Sequence, residues 1–234
     1  MKRFADRSDA GKQLAKKLSA CKERDDILIL ALPRGGVPVA REIGKALHRP
    51  VDILVARKLG IPGSEEFAMG AIASGGGKHL NLDVIERMGI SKRTISKVIK
   101  RETHEIERRE HEYRGESAAM RITNKKIFLV DDGIATGATM MAAIDSVRRL
   151  LPKSISIAVP VAPSSVYHML KKEVDEIICL QVSDNFVAVS DWFEQFDQVS
   201  DESVKKCLHD VESQSRANLP AKQGIDGFDI YSQS

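Results

Sequence analysis

Residues 127–139 read IFLVDDGIATGAT. Four apolar residues, Ile127 to Val130, run into two adjacent carboxylates, Asp131 and Asp132. A turn of small residues follows, with Thr136 and Thr139 beside Gly137, and a helical pattern begins there. A strand that ends in a glycine turn at a helix N-terminus is an anion site, because backbone N–H groups converge there and the helix dipole favours negative charge. The two threonine hydroxyls add donors. The two acids cannot hold an anion, so their natural partners are hydroxyl groups or a hydrated Mg²⁺. A sugar phosphate satisfies both halves, with its phosphate in the turn and its hydroxyls on the acids. The plainer reading is a tight strand-to-helix turn with acidic capping residues.

The rest of the chain repeats this strand-to-helix rhythm. Apolar, β-branched runs at 25–33, 51–58, 126–132, 154–161 and 175–180 read as strands, and 37–47, 137–151 and 164–172 read as helices. Alternation of this kind predicts an α/β fold with a mostly parallel twisted sheet flanked by helices. The strands lack polar alternation, as expected when both faces are covered. Residues 91–114 carry Ile95, Val98, Ile99, Ile106 and Tyr113 on a narrow stripe among mixed charges, predicting one long helix with Ser91 as N-cap. Residues 57–80, rich in Gly and Pro, form a long excursion of the sort that is functional or mobile. The polar segment after Ser213 is expected to be disordered.

Composition excludes several classes. The chain has 234 residues, 36 Lys+Arg against 33 Asp+Glu, a net charge of +3, and 42% hydrophobic residues. That balance is the usual one for a globular domain. So small a charge does not by itself argue for a nucleic-acid partner, and none is expected; the glutamates of 91–114 cancel its basic residues, leaving a solvated or homodimer-contacting face. The apolar runs are too short to cross a bilayer, and the first twenty residues lack the apolar core of a secretory signal. Cys21, Cys179 and Cys207 stand far apart and read as free thiols, so a cytoplasmic location is expected. His104 and His111 lack the companions of a zinc site. Gly75–Gly77 before Lys78 does not complete a GxxxxGK[ST] phosphate loop.

The apolar strand, two acids and TGAT turn resemble the signature of the type I phosphoribosyltransferases. A closer likeness, to a bacterial group of phosphoribosyltransferase-domain proteins, is carried by FADRSDAG, LPRGGVPVAREI, RKLGIPGSEEFAMGAIA and VDDGIATGATM, and covers Phe4 to about Leu208. The resemblance implies that fold, with a flexible loop and a small hood. It implies one domain over 1–210, with a core of about 25–182, a hood of about 183–200 plus the N-terminal segment, and a tail over 211–234. It also implies a transferase that displaces pyrophosphate from 5-phosphoribosyl 1-pyrophosphate with a small nitrogen acceptor, through an oxocarbenium-like state and with Mg²⁺.

In that likeness Arg34, Gly35 and Gly36 form the pyrophosphate loop, with a cis peptide expected near Arg34–Gly35. Arg57 and Lys58 meet the pyrophosphate from the base of the closing loop, where water is excluded. Asp131 and Asp132 hold the ribose hydroxyls and, through them or water, the metal. Ala135, Thr136, Gly137, Ala138 and Thr139 hold the 5-phosphate. The 6-oxopurine transferases carry an aspartate where this chain has Ala135, so hypoxanthine and guanine are disfavoured, whereas adenine-type, orotate-type and amine-forming enzymes need no acid there. Phe186 and Trp192 are candidates to stack on a flat acceptor, or else simply pack the hood onto the sheet. The role of Glu65 and Glu66 is open. A regulator that senses phosphoribosyl compounds without turnover, and a hydrolase acting at C1, are the competing readings.

Overall fold

The computed structural model describes residues 3–22, 24–115 and 117–217, except the side chains of Glu65, Glu66 and 215–217. In chain order the elements are α1 (Arg7–Lys17), β1 (Ile27–Ala31), α2 (Gly36–Leu47), β2 (Val51–Ile53), β3 (Ala56–Ile61), β4 (Ser64–Ala73), β5 (Lys78–Leu80) and α3 (Leu82–Arg87). They continue as α4 (Lys92–Arg114), β6 (Lys126–Val130), α5 (Ala138–Arg148), β7 (Ser154–Pro163), α6 (Ser164–Leu170), β8 (Glu176–Ser183) and α7 (Asp201–Ala217).

Five strands form a wholly parallel sheet in the order β2-β1-β6-β7-β8. Both faces are covered, and this explains the unbroken apolar strands. In β1, Ile27, Ile29 and Ala31 face the layer built with α1, α2, α4 and α7, while Leu28 and Leu30 face the layer of α5 and α6. In β6, Phe128 and Val130 take the first side and Ile127 and Leu129 the second.

Two sequence expectations are corrected here. The run 51–58 is not one strand. It leaves the parallel sheet after Ile53, and Val55 turns to Ser74, whose hydroxyl accepts its N–H at 3.0 Å and whose own N–H donates back to Val55 at 2.8 Å. From Ala56 the chain enters a separate antiparallel sheet, β3-β4-β5, so the breaker-rich stretch 57–80 is largely paired. Leu59, Met69, Ala71 and Ile72 are buried, and the small sheet packs on α4 and α5. Pro62 and Gly63 form its exposed tip, with Gly63 at φ +82°.

The second correction concerns the C-terminal segment. α7 runs to Ala217, so 211–217 is helical, because Val204, Cys207 and Val211 recur at helical spacing and are buried against α2, α4 and β2. Residues 218–234 of the expected tail lie outside the described residues. Asp6 caps α1, its carboxylate accepting the Asp9 N–H at 2.7 Å. Just before it, Phe4 pairs with Phe193, placing the N-terminus beside the segment after β8. As the capping pattern implied, Ser91 opens α4 by accepting the Thr94 N–H at 3.1 Å.

Candidate functional site

The motif residues collect at the carboxyl ends of β1 and β6, where open α/β sheets gather their ligands. The turn after β1 presses against the acids after β6. A Cβ on Gly36 would lie 2.5 Å from the Val130 carbonyl oxygen, and one on Gly35 would lie 1.9 Å from Asp132 Oδ2. Only a backbone without side chains passes this closely. The Pro33–Arg34 peptide is cis, one residue before the position expected from sequence. The Arg34 guanidinium stands 3.7 Å from Asp201 at the start of α7, and Asp201 also accepts the Tyr113 hydroxyl at 2.5 Å.

The acids differ in their surroundings. Asp131 is half-buried and accepts the Asp132 N–H at 2.8 Å. Burial first, and then the charge of Asp132, push its carboxyl above the usual carboxylate range. Asp132 is paired with Arg7, whose Nε donates to Oδ2 at 2.7 Å.

The turn before α5 leaves its donors open. Gly137 has φ +77°, and a Cβ there would meet Val166 at 2.9 Å, so both conformation and packing require glycine. No side chain caps α5. The N–H groups of Ala135, Thr136 and Gly137 donate to no group among the described residues, and neither do the hydroxyls of Thr136 and Thr139. Ala135 and Thr136 are exposed, and Ala138 and Thr139 are half-buried. Unpaired amides and hydroxyls at a helix N-terminus form a cradle for an anion.

Next to this cradle a cleft of about 440 Å³ is lined by Pro33, Arg57, Lys58, Arg101, Arg109 and Thr139. It joins the loop after β1, the start of β3 and the N-terminus of α5. At its wall Glu102 of α4, 4% exposed, accepts a bond from Arg57 Nε at 2.8 Å, stands 2.7 Å from a terminal nitrogen of the same guanidinium, and accepts a bond from Arg101 at 2.9 Å. A buried carboxylate so placed fixes both guanidiniums. Arg109 is held in turn by Glu105 at 2.7 Å. Another cleft, of about 430 Å³, opens at the far end of the sheet around Arg148, Lys153 and Asp175 and holds none of the motif residues.

The model of the phosphoribosyl transferase domain family matches residues 4–197. The chain belongs to this family. Two Mycobacterium tuberculosis proteins, each named "Putative phosphoribosyl transferase", are 39% identical to it over 204 residues, which is 87% of this chain and 46% of each of theirs. The chain thus spans less than half the length of these curated relatives. The crystal structure of TT1426 from Thermus thermophilus superimposes with a TM-score of 0.74 at 34% identity, covering 89% of this chain and 98% of that one. The fold is that of the type I phosphoribosyltransferases.

In this phosphoribosyltransferase fold the burial of Trp192 separates the two readings of the aromatic segment. Trp192 is 3% exposed and packs with Phe4, Ala10, Val161 and Phe193, so it is hood core and offers no face to a ligand. Phe186 lies against it, 6.2 Å between ring centres and 20° between planes, and is itself half-buried. Phe196 is covered by the Arg7 guanidinium, 3.8 Å above its ring.

Sequence reasoning missed Arg7, Arg101, Glu102 and Arg109. The mixed charges of α4 predict a solvated or dimer-facing helix, yet Glu102 lies four residues from both Val98 and Ile106 on the buried stripe. A carboxylate on an apolar stripe was the available signal. Arg7 lies in the phrase FADRSDAG that carries the family likeness, but nothing local sets it apart from the other charges near the N-terminus.

Among the described residues no helix is long and apolar enough to cross a membrane.

Proposed function

We propose that this domain transfers the phosphoribosyl group of 5-phosphoribosyl 1-pyrophosphate to a small nitrogen acceptor. The observation that carries the reading is the meeting of two unlike sites at one strand end. A carboxylate pair suited to hydroxyl groups stands beside a helix N-terminus whose amides and hydroxyls have no partner among the described residues. In the reaction the acceptor nitrogen bonds to C1 as the C1–O bond to pyrophosphate breaks. The bonding pair leaves with pyrophosphate, and the nitrogen loses its proton. Asp131 and Asp132 would hold the ribose hydroxyls and place negative charge near the cationic ring. Residues 135–139 would hold the 5-phosphate. The loop 34–36, with Arg57 and Lys58, would receive the leaving group, and Arg101 and Arg109 extend that cationic wall.

The donor set fits Mg²⁺. Two hard carboxylate groups stand at one strand end, and no three His, Cys, Asp or Glu side chains converge among the described residues. Such a pair suits a hydrated ion that shares substrate oxygens, held by Asp131 and Asp132 indirectly. When bound, it would neutralise charge on the pyrophosphate. No carboxylate is present at Ala135 to accept a proton from a base, which supports acceptors other than hypoxanthine and guanine.

Isothermal titration with 5-phosphoribosyl 1-pyrophosphate and Mg²⁺, followed by pyrophosphate release across a panel of bases and amines, tests the reading. Acceptor-dependent release is expected. No binding would overturn it, binding without release for any acceptor would favour a sensor, and release without an acceptor would favour a hydrolase.

A further inference from the structure

The N-terminal phrase FADRSDAG, residues 4–11, is sequence-distant from the motif turns yet ends on the acid pair. Phe4 locks into the hood core against Phe193. Asp6 caps α1, and Arg7 is its first residue. Gly11 lets α1 lie on α2, since a Cβ there would come 2.7 Å from the Val39 carbonyl oxygen. Ser8 donates across the same contact to Glu42 at 2.8 Å. The helix that follows the Arg34–Gly36 loop therefore also sets the position of Arg7.

Three contacts hold the Arg7 guanidinium. Nε donates to Asp132 Oδ2 at 2.7 Å, one terminal nitrogen donates to the Asp197 carbonyl at 2.7 Å, and the plane lies 3.8 Å over the Phe196 ring. Its side chain is 12% exposed and that of Asp132 14%. A planar fork can satisfy two diverging acceptors while stacking on a ring, which an ammonium cannot do. Arg7 thus takes Asp132 Oδ2 on the side that Gly35 approaches, and no N–H donates to Oδ1 among the described residues.

We propose that Arg7 is a positioning residue for Asp132. It balances the second of two adjacent carboxylates and turns that group so that Oδ1 meets a substrate hydroxyl. This rests on the phosphoribosyl reading, in which the acid pair holds the ribose.

The test titrates the full chain with ribose 5-phosphate and, separately, with pyrophosphate. Arg7→Gln is expected to weaken ribose 5-phosphate about tenfold, the scale of a charge-assisted hydrogen bond, and to leave pyrophosphate unchanged. Arg7→Lys, which keeps the charge without the fork, is expected to recover part of the loss. In a double-mutant cycle, Arg7→Gln should add nothing once Asp132→Asn is present, because Arg7 acts through Asp132. Additive losses, equal weakening of both probes, or unchanged or tighter ribose 5-phosphate binding in Arg7→Gln would overturn the proposal. Wild-type protein that binds pyrophosphate but not ribose 5-phosphate would instead overturn the phosphoribosyl reading. Should Arg7→Gln not fold, Phe196→Leu removes the stack on Arg7, together with the ring contact to Phe193, and keeps both hydrogen bonds of the guanidinium. It should weaken ribose 5-phosphate about threefold, and unchanged binding would count against the proposal.

Discussion

Adding one methyl group at Gly35 tests the close approach on which the site is built. Gly35 has φ −62° and ψ −35°, so alanine suits its backbone and the substitution isolates packing. Its Cβ would stand 1.9 Å from Asp132 Oδ2 and 2.4 Å from Cγ, where real Cβ atoms essentially never come within 3.0 Å. Loop or carboxylate must therefore move by roughly 1 Å, against the repulsion that close packing imposes. The carboxylate cannot yield freely, because Arg7 holds the same oxygen at 2.7 Å. Overpacking of this kind costs about 1–3 kcal/mol, and the smaller unfolded-state entropy of alanine returns about 0.4–1 kcal/mol. The net loss is about 1–2 kcal/mol, or a fall in Tm of roughly 2–8 °C for a domain of this size.

A misplacement of ~1 Å can cost ~100-fold in rate at a reacting site, so, if Asp132 holds the ribose as proposed, ribose 5-phosphate binding should fall at least tenfold as well. Thermal unfolding and isothermal titration measure the two effects. On an Asp132→Ala background Gly35→Ala should no longer lower Tm, because its clash partner is gone. Wild-type Tm and binding within twofold for Gly35→Ala would refute the reasoning.

Other consequences are equally open to measurement. Glu102→Ala leaves Arg57 and Arg101 unpaired beside each other. Because these arginines are 32% and 60% exposed, the expected loss is about 1–2 kcal/mol, below the value for a fully buried pair, and an unchanged urea midpoint would contradict it. Trp192→Ala should cost about 3 kcal/mol or more as a cavity in the hood core, whereas Phe186→Ala should cost far less; equal losses would contradict the packing role given to Trp192. Burial first, and then the hydrogen bond to Asp201, push the Tyr113 phenol from its ordinary 10.0 up to about 12. The fold favours the neutral phenol, so this contribution is complete below about pH 10 and disappears as pH rises through about 12. Tyr113→Phe should flatten that part of a urea-midpoint profile, and an identical alkaline decline in the variant would count against it. With 5-phosphoribosyl 1-pyrophosphate, hypoxanthine and guanine should give no pyrophosphate release above the acceptor-free rate; turnover matching the best acceptor in a panel would overturn the inference from Ala135.

The parallel sheet and its principal turns were legible because their signals are local. β6, Asp131–Asp132 and the turn to Gly137 lie within one short run, and strand apolarity, glycine and a helix start each act on near neighbours. The long stripe of α4 was visible for the same reason, and Ser91 does cap it. The break in 51–58 was not visible. Its apolar residues are continuous, and the departure after Ile53 depends on Ser74, which comes nineteen positions after Val55 and joins it only on folding. Trp192 carried an ambiguous signal, because an aromatic residue suits a ligand platform and a core equally well. Its burial is shared by Phe4 and Ala10, which come from the other end of the chain, and by Val161.

By itself the sequence determined the α/β class, the strand-end acids, and a helix N-terminus ready for an anion. Periodicity, glycine and the helix dipole operate over a few residues, and a single chain records them directly. Only the tertiary structure decided which charges face one another. Arg7 meets Asp132 across 125 positions, and Arg57 meets Glu102 across 45. Those pairings carry no local signature. A charged side chain reads the same whether water or an opposite charge surrounds it, and only packing of α1 on α2 and of the small sheet on α4 removes the water.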